Sequence, residues 1–192
     1  MIEVNAMPVA GYLAILYFGS EFLLGMVRRA KGGSSSPADR GSTWVLWLVI
    51  MPCMYLGFWC EFGLPQTSFG FHPLINWIGI AIVIAGLVIR WYSIIYLGRF
   101  FTVNVAIVAD HQLIDTGPYR RVRHPSYTGA LMAFWGLALC TQNWVSLVLI
   151  GVGPTIAFLY RMHVEEMALS GAFGERYRAY MQRTARLIPG VY

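Results

Sequence analysis

The 192-residue chain is 57% hydrophobic and only 12% charged, against about 25% charged residues in an ordinary soluble domain. That balance excludes a water-soluble globular fold and indicates one compact integral membrane domain. The net charge of +5 does not point to nucleic acid, because the basic residues flank apolar runs, where they act as topology signals and anion contacts.

A bilayer-spanning helix needs about 20 apolar residues. The first such segment runs from about Ala6 to Val27, the second from Trp44 to Phe62 and the third from Leu74 to Leu97. Met1–Pro8 carries no positive charge ahead of the first segment, which argues against a cleaved signal peptide. Lys31 to Ser42 is rich in Gly and Ser and reads as a flexible loop. Gly98 to Tyr119 is mixed polar and β-branched, a connecting loop with short extended pieces. The apolar run Thr128–Tyr160 is too long for one helix and breaks at Thr141-Gln142-Asn143, so it reads as two short helices forming a hairpin. Pro52 and Pro154 fall inside spans and should kink them. Arg161 to Arg183 reads as a helix leaving the membrane, with a break at Gly171–Gly174. The expected fold is all-α and polytopic, with about five transmembrane helices. Residues 1–97 would supply three of them, and 98–192 a cofactor-binding and catalytic part.

Charge distribution sets the orientation. Arg28, Arg29, Lys31 and Arg40 follow the first segment, and Arg99, Arg120, Arg121 and Arg123 follow the third. Arg161, Arg176, Arg178, Arg183 and Arg186 follow the fifth, while loops 63–73 and 141–143 hold no Lys or Arg. The positive-inside rule then places the C-terminus and both basic clusters in the cytoplasm.

Two clusters carry candidate chemistry. Tyr119, Arg123, His124 and Tyr127 fall within nine residues at the start of the fourth span, where Pro125 imposes extended geometry on His124 and suits a helix start. Taken singly, each could be an interfacial anchor. Arg161, Glu165 and Glu166 follow the fifth span, with Arg161 and Glu165 on one helix face. Alone, these could be a snorkelling arginine with a helix ion pair. Two adjacent carboxylates near a bilayer face are costly unless partnered or functional. Glu21 and Arg90 are intramembrane charges that function or pair. Cys53, Cys60 and Cys140 lie in apolar segments without ligand spacing and read as buried thiols. His111 and His163 show no metal spacing, and no metal is expected. Gly151-Val152-Gly153 lies in an apolar span and is no dinucleotide fingerprint.

Gly117-Pro118-Tyr119, then Arg123-His124-Pro125-Ser126-Tyr127-Thr128-Gly129, then Arg161 with Glu165-Glu166, then Phe173-Gly174 with Tyr177 and Tyr180 together form a recognisable order. That order resembles the isoprenylcysteine carboxyl methyltransferases and their prokaryotic relatives, over about Leu97 to Pro189. The resemblance implies S-adenosyl-L-methionine as cofactor, in a cytoplasmic pocket that is not a Rossmann fold. It implies cofactor contacts from Asn104, His111, Gln112, Leu113, Ile114, Tyr119, His124, Pro125, Ser126, Tyr127 and Glu165. It implies Arg161 facing the substrate and Arg123 close to the reacting centre. The implied reaction is methyl transfer to a lipophilic carboxylate entering from the bilayer, with membrane lipids as the surrounding partners. Phospholipid N-methyltransferases, thiol S-methyltransferases and NADPH-dependent sterol reductases share part of this pattern and stay open as alternatives. The natural acceptor and the oligomeric state are not written in the sequence.

Overall fold

The computed structural model describes residues 9–27, 37–98, 101 and 113–192. Among them the architecture is helical: α1 (Val9–Val27), α2 (Pro37–Gly63), α3 (Pro73–Leu97), α4 (Pro125–Cys140), α5 (Trp144–Ser146), α6 (Gly153–Phe173) and α7 (Glu175–Arg183). A π-helical stretch, Leu147–Val152, joins α5 to α6, so 144–173 is one 30-residue helix. Among the described residues three helices are long and apolar enough to cross a bilayer: Gly41–Gly63, Pro73–Leu97 and Trp144–Phe173. These make the chain an integral membrane protein.

The hairpin expected from 128–160 is present but unequal. Its first arm, α4, has 16 residues, about 24 Å at 1.5 Å per residue. Its second arm does not stop near Tyr160 but continues to Phe173. The turn at Thr141–Asn143 is where expected, with Gln142 at φ 49°. Pro154 is accommodated rather than breaking the helix. It has no N–H to donate, and the π-helical turns immediately before it absorb the misfit. The start of α2 is a correction. The helix begins at Pro37, inside the stretch read as loop, because proline suits the first helical position, where its missing N–H costs nothing.

α3 and α4 pack closely because glycines face each other. A Cβ added at Gly86 would lie 2.5 Å from the Gly129 carbonyl oxygen, and one at Gly136 2.6 Å from that of Gly79. The pairs 79/136 and 86/129 run in opposite directions, so the helices are antiparallel, with backbones near enough for van der Waals packing to hold them in lipid. α2 lies along the 144–173 helix in the same sense, Gly57 against Ile150 and Gly153 against Cys53. The core between them contains Tyr17, Ile50, Met54, Val83, Phe134, Leu137, Ile150, Phe158 and Met162. The cysteines are free thiols, but only Cys60 is fully buried, whereas Cys53 and Cys140 are half-buried at helix contacts.

Each end of this bundle carries a polar knot. At one end, the buried Asn143 donates to the carbonyls of Cys60 (3.2 Å) and Leu64 (3.1 Å) and to Thr67 Oγ1 (2.7 Å). Its Oδ1 accepts from the amides of Val145 and Ser146, capping α5. Gln142 bonds both the N–H and the carbonyl of His72. The opposite end holds the charged residues.

Candidate active site

α4 begins immediately after His124, whose carbonyl accepts from Tyr127 N (3.0 Å) and Thr128 N (2.9 Å). The backbone of His124 (φ −123°, ψ 56°) is kept out of the helical region, as a following proline requires, but its ψ falls short of the extended geometry expected from the sequence. Just before it, the tight turn Gly117–Arg120 buries Tyr119. Gly117 takes φ +57° with the Tyr96 ring packed where a side chain would be. The C-terminal segment then straps this region. Arg123 N donates to Ala185 O (2.9 Å), His124 N to Arg186 O (3.2 Å) and Ala185 N to Arg121 O (3.0 Å), a short parallel pairing. Gly174, at φ 53°, ends α6 and lets α7 turn back toward the site.

The two adjacent carboxylates of α6 face different surroundings. Glu166 is buried and densely engaged. Its Oε1 accepts from Arg123 Nε (2.9 Å), from Arg186 Nε (3.2 Å) and, with His124 protonated on Nε2, from that nitrogen (3.1 Å). Its Oε2 pairs with Arg186 Nη2. Glu165 is 26% exposed, and among the described residues its contacts fall on Oε2: the Tyr127 hydroxyl donates to it at 2.8 Å, and His124 Nδ1 lies 3.9 Å away. His124 and Tyr127 stack nearly parallel, rings 5.5 Å apart.

The arginines divide likewise. Arg123 Nη1 donates to the carbonyls of Met181 (2.9 Å) and Thr184, so this side chain ties the C-terminal segment to Glu166. Arg161, 2% exposed, donates through Nη1 to the buried Ser42 hydroxyl of α2 and hydrogen-bonds the Tyr127 hydroxyl. Deeper in the bundle, Glu21 and Arg90 form a buried pair, and Arg90 Nη1 also donates to the Ser126 carbonyl (3.2 Å) and hydroxyl (3.1 Å). The charges flagged within α1 and α3 are therefore each other's partners, as intramembrane charges require. Tyr180 donates to the Tyr119 carbonyl at 2.6 Å, and burial pushes the Tyr119, Tyr177 and Tyr180 hydroxyls well above the usual phenol range. They stay neutral donors throughout the physiological range.

The structure thus brings together Arg123, His124, Tyr127, Arg161 and Glu165. Pro125 is buried at the α4 start beside them, Ser126 turns to Arg90, and Tyr119 anchors the preceding turn. Leu113 and Ile114 are half-buried on the approach to that turn. Asn104, His111 and Gln112 lie outside the described residues. A cleft of about 410 Å³ is lined by Asp115, Thr116, Gly117, Arg120 and Arg183, and none of the Glu165 group lines it. Sequence reasoning missed Ser42, Thr184 and Arg186. No local spacing announces them, because they reach the site from a distant helix and from the C-terminal strap.

Residues 74–176 match the phospholipid methyltransferase family model. Protein-S-isoprenylcysteine O-methyltransferase B of Arabidopsis thaliana is 31% identical over 185 residues, covering 94% of this chain and 91% of its own length. The A enzyme of the same plant is 34% identical over 122 residues, 62% of each chain. In structure, the chain is similar to a eukaryotic intramembrane Ras methyltransferase, an isoprenylcysteine carboxyl methyltransferase. The TM-score is 0.69 at 24% identity, covering 99% of this chain and 70% of the other; that likeness speaks for the fold.

Proposed function

Because the chain belongs to the isoprenylcysteine carboxyl methyltransferase family, a group of membrane enzymes, we propose that it methylates the carboxylate of an isoprenylcysteine-like acceptor, with S-adenosyl-L-methionine as methyl donor. The observation that carries this reading is the unequal pair Glu165 and Glu166. One carboxylate is consumed by structure, and its neighbour is half-open, held on one oxygen beside a buried arginine. The donor set fits the cofactor. A half-exposed carboxylate accepts ribose hydroxyls and favours a nearby sulfonium cation, and the His124–Tyr127 stack offers a flat aromatic wall. When bound, the cofactor supplies a methyl group already activated on positively charged sulfur.

The chain's own residues then have limited tasks. A carboxylate acceptor is ionised at neutral pH, so no general base is needed; orientation and exclusion of water are. Arg161 has the planar fork for gripping a carboxylate, in a buried setting where that grip is strong. It should orient more than neutralise, since tight pairing would blunt the nucleophile. Arg123 acts through Glu166, fixing the strap and the floor of the site. The cofactor contacts are assigned to Glu165, His124, Pro125, Tyr127 and Tyr119, with Leu113, Ile114 and Ser126 as nearby wall. An acceptor tail would approach Arg161 from the bilayer beside the aromatic run Phe18, Phe134, Phe158 and Tyr127, whose rings pack in the core. In this reading α1 and α4 also cross the membrane, giving five spans. The basic end faces the cytoplasm, and 98–192 forms the cofactor-binding and catalytic part of one domain.

The family model's description favours a second acceptor class, the amine of a phospholipid headgroup. That reaction needs a proton acceptor, for which Glu165 is the candidate. The deciding experiment is calorimetric titration of the detergent-purified protein with S-adenosylhomocysteine and with NADPH, followed by methyl transfer to N-acetyl-S-farnesylcysteine and to phosphatidylethanolamine. Binding of the first ligand and methylation of the prenylcysteine are expected. NADPH binding alone, or methylation of the phospholipid alone, overturns the reading.

A further inference from the structure

Ser42 sits in the second turn of α2, in a stretch whose composition reads as linker, yet its side chain is wholly buried. A wholly buried hydroxyl needs partners, and Ser42 accepts a hydrogen bond from Arg161 Nη1. The contact is no accident of two stray side chains. α2 and the 144–173 helix are held antiparallel by Gly57 against Ile150 and Gly153 against Cys53, and that direction carried along both helices brings 42 within about one turn of 161, a gap that the long arginine side chain spans. Arg161 in turn bonds the Tyr127 hydroxyl, which donates to Glu165. A continuous line therefore runs from α2 through the arginine to the half-open carboxylate.

We propose that Ser42 is a positioning residue for acceptor recognition, fixing the direction of the Arg161 guanidinium so that it presents a fork to a carboxylate. This rests on the reading of Arg161 as the acceptor-binding arginine and deepens it, because it makes α2 part of a site otherwise built from 119–186. An arginine has many rotamers, and a carboxylate is gripped bidentately only when the guanidinium plane is set beforehand. Ser42 holds Nη1 of that plane, and the Tyr127 hydroxyl is a further partner of the same guanidinium. The consequence is selectivity. A site with a fixed guanidinium separates a free carboxylate from its own methyl ester, which has lost the charge and one acceptor oxygen. Product release depends on that difference.

The test compares N-acetyl-S-farnesylcysteine with its methyl ester as ligands of the S-adenosylhomocysteine-loaded protein, in wild type and Ser42→Ala. Wild type is expected to prefer the free acid. Ser42→Ala is expected to lose about tenfold of that preference, as befits one hydrogen bond to a charged group. Its S-adenosylhomocysteine affinity should stay within about twofold. A general loosening of the bundle would weaken acid, ester and S-adenosylhomocysteine together, and that result overturns the assignment. So does full retention of the preference in Ser42→Ala. A wild-type protein that binds acid and ester alike overturns the acceptor reading of Arg161 itself, which separates that failure from a failure of Ser42.

Discussion

The two ends of the bundle solve the same problem differently. Both bury polar side chains where α4 and the 144–173 helix meet a loop. At the 141–143 turn the groups are neutral amides, and Asn143 has its donor and acceptor positions matched to named backbone and hydroxyl partners. At the opposite end the groups are charged, and matching is uneven: among the described residues Glu166 is crowded with donors while Glu165 meets its partners through one oxygen. A saturated knot is a clasp. A knot with one member left half-engaged is a clasp with a binding position built into it, because an accessible carboxylate oxygen can still accept hydrogen bonds from a ligand.

That contrast can be broken most forcefully at Glu166. Glu166→Ala strips the partner from Arg123, Arg186 and His124 at once, leaving buried positive charge uncompensated. The expected loss is about 3–5 kcal/mol of unfolding free energy, read as a lowered unfolding midpoint in detergent and poor yield of folded protein. A midpoint unchanged from wild type would show that this end is not a clasp at all. Glu165→Ala should behave in the opposite way. S-adenosylhomocysteine affinity is expected to fall about 100-fold, with the unfolding midpoint near wild type, because the lost contacts are one hydroxyl and one long histidine pair. Asn143→Ala tests the other end. It should cost about 2 kcal/mol of stability, as one buried and two half-buried acceptors and two helix-start donors lose their partner. Cofactor affinity and acceptor KM of the folded fraction should not change.

Much of this was legible in the sequence, and the reasons are local. Hydropathy marked α2 and α3, two of the three long spans, and took the third for a short hairpin arm; Thr141-Gln142-Asn143 marked the turn, and the His124-Pro125 step marked the start of α4. The charged pair Glu21 and Arg90 was visible as a problem needing a solution. Their mutual pairing was not, since 69 residues separate them and only the packing of α1 on α3 joins them. The same limit hid Ser42. Linker-like composition outweighed the helix-start signal of Pro37, and nothing near it in sequence says that Arg161 lies opposite. The adjacent glutamates looked equivalent, and their division of labour depends on Arg186 arriving from the C-terminal strap. Sequence pattern announces which residues can do chemistry. Which of them are occupied by structure is decided by partners far along the chain.

The finest distinction rests on a single oxygen atom. Tyr127→Phe keeps the ring that stacks on His124 and packs against Phe158, and removes only the hydroxyl shared by Glu165 and Arg161. If that hydroxyl aligns Glu165 for its ligand, its loss should weaken S-adenosylhomocysteine binding about fivefold, the worth of one hydrogen bond to a charged group after partial compensation. The unfolding midpoint should barely move, because Glu165 is open enough to recover water. The effect is small, but its pattern is specific. Glu165→Ala combined with Tyr127→Phe should be no worse than Glu165→Ala alone, since the hydroxyl would then have no carboxylate left to align. Additive losses in that double variant would mean that Tyr127 touches the ligand directly, and the half-open carboxylate would have to be explained by Arg161 instead.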